Sequence, residues 1–141
     1  MTSYSFLICG INMLGSATLD AMFWFYFVNA ILLIIHEIDS AYWKEWELFK
    51  LRGEITGFLI IHFPLIGAIL FGLVAITQWY VVGIVFSYIL CVGGLFAFTI
   101  HTYFLKKGKE EFNSPISIAI LIAILVVSVI QLALTFLVIF V

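Results

Sequence analysis

The chain is short of charge, proline and cysteine, and each shortage removes a class of explanation. Asp, Glu, Lys and Arg supply only 10% of the 141 residues while 65% are hydrophobic, too little polar surface for a water-soluble domain of this size. Six Lys and Arg against eight Asp and Glu leave a net charge of -2 and no basic face, which removes nucleic acid as a partner. The two cysteines, Cys9 and Cys91, lie far apart in apolar runs and form no CxxC, so thiol redox chemistry and metal fingers have no support. With only two prolines, the apolar runs go almost unbroken. Catalytic signatures are missing too. There is no GxSxG, no phosphate-binding glycine loop and no histidine box, and HEIDS at His36 to Ser40 starts like a zinc-protease helix but has Ser40 where the second histidine belongs.

What remains is apolar sequence in runs long enough to cross a bilayer, with a mean hydropathy of +1.27. The expected fold is an all-α integral membrane four-helix bundle, one transmembrane domain over residues 1–141, with spans at about 20–47, 55–77, 80–103 and 117–141. Ahead of them, Tyr4 to Leu14 is apolar but too short to span, so residues 1–17 read as an interfacial or re-entrant segment. No Lys or Arg precedes that stretch, so it is expected to be retained rather than cleaved as a signal peptide. Ser16, Thr18 and Asp20 read as capping signals for the first long helix.

Orientation follows from the basic residues. Lys44, Lys50 and Arg52 sit in or beside the first interhelical loop, and Lys106, Lys107 and Lys109 in the third. The positive-inside rule then makes the loops at 48–54 and 104–116 cytoplasmic, in what reads as a bacterial inner membrane. Trp43, Trp46, Trp79 and Tyr103 suit the aromatic belts at the two interfaces. Gly53 is expected to end the first helix in a left-handed turn, and Pro64 to remove a backbone hydrogen bond just after His62. Gly83, Ser87, Cys91 and Gly94 form a small-residue stripe read as ordinary helix packing.

The informative residues are ionisable groups within the spans. At 1.5 Å per residue, His36 lies about 12 Å before Lys44, His62 about 12 Å after Glu54, and His101 about 8 Å before Lys106, which places the three histidines at nearly one depth. On the first span, His36, Asp39 and Ser40 share a face, whereas Glu37 points about 100° away toward a different neighbour or the headgroups. Ionisable side chains are costly in lipid unless paired, and usually face the interior of a bundle. Three uses fit: ligands for a divalent metal, a path for protons or ions, or a hydrogen-bonded knot that fixes helix register. The candidate metal ligands are His36, Asp39, His62 and His101, with Glu37 or Glu45 as candidate catalytic proton acceptors or supporting groups. Haem held between two histidines ranks below a divalent metal. The competing reading is a non-catalytic membrane subunit, a homo-oligomer or the partner of another membrane protein, whose polar cluster is structural.

His36 to Glu47, HEIDSAYWKEWE, resembles an uncharacterised bacterial family of small multi-spanning membrane proteins with a His-Glu-x-Asp pattern followed by Glu-Trp on the same helix, here His36, Glu37, Asp39, Glu45 and Trp46. The resemblance extends through HFPL at His62, IHTYF at Ile100 and EFNSPIS at Glu111. It implies a polytopic membrane fold and no particular activity.

Overall fold

In a computed structural model, described over residues 3–78, 80–109 and 113–140 with the side chains of 3–14 left aside, the apolar runs become five helices. They are α1 (Ser3–Tyr42), α2 (Glu45–Leu48), α3 (Glu54–Gln78), α4 (Tyr80–Lys106) and α5 (Pro115–Phe140). Four are long and apolar enough to cross a membrane, the first of them over Gly15–Tyr42, and together they form an all-α four-helix bundle. Helix α1 touches α3, α4 and α5, and α4 touches α3 and α5, so α1 and α4 meet across the middle while α3 and α5 lie on opposite sides.

Two boundaries differ from expectation. Helix α1 runs straight through Ser16, Thr18 and Asp20, which therefore lie within a helix rather than capping one. No proline interrupts this stretch, and single glycines do not stop a helix. The expected placement of 1–17 at the interface falls largely outside the described side chains, and that of Trp79 lies outside the described residues. At the other end α1 stops at Tyr42, five residues before the expected limit, because Lys44 takes a left-handed conformation at φ 53° and ψ 48°. The chain then turns into the one-turn helix α2, where Trp46 packs edge-to-face on Phe58 of α3 and Phe49 on Phe104 of α4. Gly53 does take a positive φ, of 90°, but it opens α3 rather than closing α1. Helix α3 is continuous through Pro64.

The buried positions follow a seven-residue repeat. On α5 they are Ser117, Leu121, Ile124, Ser128, Gln131, Thr135 and Val138, and on α1 Met22, Tyr26, Asn29, Leu33, His36 and Ser40, with Ala30 buried beside that row. Alternating steps of three and four residues keep one seam facing a neighbour. Along this seam a polar layer joins three helices. Asn29 donates to Gln131 Oε1 at 2.8 Å and Ser128 Oγ at 3.1 Å; Gln131 donates to Ser87 Oγ at 2.9 Å; and Ser87 and Thr135 share a 2.7 Å hydrogen bond. Lipid is as apolar as leucine, so close approach and hydrogen bonds of this kind hold spans together. The small-residue stripe packs as expected: a Cβ on Gly94 would run into Ser128 Oγ of α5, and one on Gly83 would meet the backbone of Ile76 in α3 at 2.7 Å.

Candidate functional site

Helix α3 is buried at Phe58 near its start and again from Ile69 onward, with its closest contacts at the Ile69 end. There Tyr26 of α1 donates to the Ile69 carbonyl at 2.8 Å, and its hydroxyl sits where a Cβ on Gly72 would be. Between Phe58 and Ile69, α3 has no buried residue, although the repeat passes through His62 and Leu65. A cleft of about 620 Å³ occupies this interval. Helices α3 and α4 form its walls, α1 its back through Tyr26, Leu33, His36 and Glu37, and Glu45, Phe49 and Leu51 close the end nearest the charged loops.

Five ionisable side chains meet at that end. His62 Nδ1 lies 2.7 Å from the Phe58 carbonyl, and His62 Nε2 lies 2.8 Å from Glu37 Oε2. A carbonyl can only accept, so Nδ1 carries a hydrogen, and one further proton is left for Nε2 and the carboxyl to share. Whichever atom holds it, the pair has no net charge, and this makes it affordable at membrane depth. The His62 ring also stacks on Phe58, with centroids 3.7 Å apart and planes at 22°. Helical spacing thus fixes the imidazole twice, by a hydrogen bond and a ring contact to the residue four positions earlier.

The second group joins α1, α2 and α4. His36 and His101, both buried, pack edge-to-face with ring centroids 4.7 Å apart. Glu45 Oε1 approaches His101 Nε2 to 3.5 Å from below the turn at Lys44. Burial lifts the Glu45 carboxyl above the usual carboxylate range, opposed by the Ser40 hydroxyl and by the charge on His62.

The three histidines therefore line one cleft, toward one end of it. They do not converge on a point: His62 pairs with Glu37, while His36 and His101 pack on each other. Asp39 lies outside the cleft lining, and its Oδ2 is buried with no hydrogen-bond partner among the described residues. Among those residues no three His, Cys, Asp or Glu side chains are grouped so as to hold a metal ion. Glu37 does serve a different neighbour from His36, and that neighbour is His62. Sequence reasoning did not single out Gln131, Ser128 and Thr135; their signal was polar residues recurring at steps of three and four on an otherwise apolar span.

Fold and site together define a small integral membrane helical bundle with a His–carboxylate cluster at one end of a cleft between two spans. The chain belongs to a family of unknown function, DUF6713, whose model matches residues 22–138 and so takes in every residue of the cleft. No curated protein and no solved structure matches it.

Proposed function

We propose that the protein binds a small molecule or cofactor within the membrane, and that the His–carboxylate cluster holds its polar group. The observation that carries this reading is the Glu37–His62 pair. Its ring is oriented by Phe58, and both partners line an open cleft. A pair that only fixed helix register would be better served by packing on all sides, as Asn29 and Gln131 are. Such a pair can donate or accept one proton at Nε2 or the carboxyl without creating an isolated charge, which suits it to hydrogen-bond an incoming group or to exchange a proton with it. Glu45, which burial makes more basic than an ordinary surface carboxylate, adds a second polar group from the loop side.

The basic residues support an orientation with this end of the bundle in the cytoplasm, as in a bacterial inner membrane. A divalent metal on His36, Asp39, His62 and His101 is the second reading, and it requires ligand atoms about 2.0 to 2.2 Å from one ion. Mass spectrometry of the protein extracted in its own lipids, with metal analysis of the same sample, separates these readings. A non-protein mass that is present in the wild type and lost in His62→Ala and Glu37→Gln is the expected result. Near-stoichiometric metal lost on replacing the histidines would establish the metal reading instead. A wild type with neither would overturn both and favour a structural cluster.

A further inference from the structure

Below the cluster the cleft has no polar group to offer. Its back wall is Leu33 and the Tyr26 ring, and the Tyr26 hydroxyl is already committed to the Ile69 carbonyl. Measured along the helices, the cleft runs roughly 15 Å from His36 to Tyr26 on α1 and roughly 22 Å from His101 to Phe86 on α4. One leaflet of a bilayer is about 15 Å of hydrocarbon, so the apolar part has the length and position of a lipid chain beside it.

The cleft is open on its side. Ile61 and Leu65 on α3 and Ile89 and Phe96 on α4 line it and are also 44 to 64% exposed, so they form the lips of a slot facing the surrounding lipid. Between the α4 lips a Cβ on Gly93 would meet nothing within 4 Å, in contrast to its neighbour Gly94. A molecule already in the leaflet can slide in sideways, chain first between α3 and α4, and bring its head to the cluster.

Charge selects the head. The cleft lining includes two glutamates and three histidines but no Lys or Arg, and Lys44, outside the lining, is about two-thirds exposed and pairs with Glu47 at 3.7 Å. A phosphate or carboxylate head would face the Glu45 carboxyl with no Lys or Arg in the lining to balance it. A cationic head finds Glu37 already neutralised by the proton it shares with His62. Hydroxyl and carbonyl groups suit a donor and acceptor surface of this kind. Resting on the reading of the cluster as a ligand site, we propose that the ligand is a membrane amphiphile with an uncharged hydroxyl or carbonyl head, held at Glu37 and His62 with one aliphatic chain lying in the α3–α4 cleft.

The test uses the full chain in phosphatidylcholine nanodiscs and a sixteen-carbon alcohol bearing a mid-chain diazirine, with labelled residues mapped by mass spectrometry after illumination. The expected labels are Leu65 and Ile69 on α3 and Leu90 and Ala97 on α4, competed by unlabelled alcohol better than by the matching fatty acid or amine. Gly93→Phe, which fills the slot where space is open, should cut this labelling about tenfold, the equivalent of about 1.4 kcal/mol, with the melting curve confirming that the bundle still folds. Labels spread evenly over outward residues such as Ile60 and Val126, or unchanged by Gly93→Phe, would overturn the proposal while leaving the cluster free to bind a polar ligand. Equal or better competition by the acid or amine would overturn the choice of head. Chain labelling that persists unaltered in Glu37→Gln and His62→Ala would instead remove the cluster from binding, and with it the proposed function. Cross-links from the same residues to a second copy of the chain would make the slot an oligomer contact and would also overturn the proposal.

Discussion

The two flanks of the bundle use polar residues in opposite ways. On the α5 side, Asn29, Ser87, Ser128, Gln131 and Thr135 satisfy one another, and at Gly94 the packing leaves no room for a Cβ beside Ser128. On the α3 side, Glu37, His36, His62 and His101 meet beside a cleft, and the helix is anchored on either side of it, by Phe58 against Trp46 near its start and by Tyr26, Gly72 and Gly83 toward the far end. Hydrogen bonds that close on themselves hold spans together, whereas titratable groups beside open space are available for something that comes and goes. The contrast separates the stabilising half of the molecule from the half that can carry function.

The sharpest way to break that comparison is to add the same side chain to two adjacent glycines. Gly94→Val drives a branched side chain into Ser128 and Ile124 and should lower stability in detergent by on the order of 3 kcal/mol. Gly93→Val, one residue earlier and facing the slot, should change it by less than about 0.5 kcal/mol. Equal effects on the melting curve would mean that the cleft is not open. Next in size, Gln131→Leu removes one of the two acceptors of the Asn29 amide and one of the two partners of the Ser87 hydroxyl, and should cost about 1 kcal/mol in an SDS unfolding titration. On the other flank, His62→Ala and Glu37→Gln should couple by roughly 1 kcal/mol in a double-mutant cycle, since each loses the same shared proton; additive effects would contradict the pairing.

The smallest expected effect is a pH dependence. Glu45 binds its proton more tightly when folded than its ordinary value of 4.5 implies, so the folded state holds more protons between that value and the raised one. Stability from this group is complete below about pH 4.5 and is lost as pH rises through the folded value. The melting temperature of the wild type relative to Glu45→Gln should therefore fall with rising pH across that window, and a difference that rises instead would reverse the sign of the burial effect.

Much of the architecture was legible because membrane spans need long apolar runs, and the chain has four. The gathering of His36, His62 and His101 toward one end of the cleft was legible because a helix rises by a fixed amount per residue, and so was the divergence of Glu37 from His36 on the helical wheel. The partner of Glu37 was not, since spacing along one helix says nothing about which residue on another helix faces it. The turn at Lys44 also escaped: lysine rarely adopts the left-handed conformation, and His36 to Glu47 reads as one uninterrupted helix. That turn brings Glu45 to His101, which a straight helix could not do. The polar seam of α5 was present as a seven-residue repeat but concealed by the strength of its hydropathy.

The most direct test of the central claim is an experimental structure of the protein crystallised from its own lipids, read at the cleft between α3 and α4. The account predicts elongated density along Leu90, Gly93 and Ala97, with one end within hydrogen-bonding distance of Glu37 or His62. A cleft closed by α3 packing down onto α1 and α4, with His62 turned into a fully enclosed hydrogen-bond network, would contradict it.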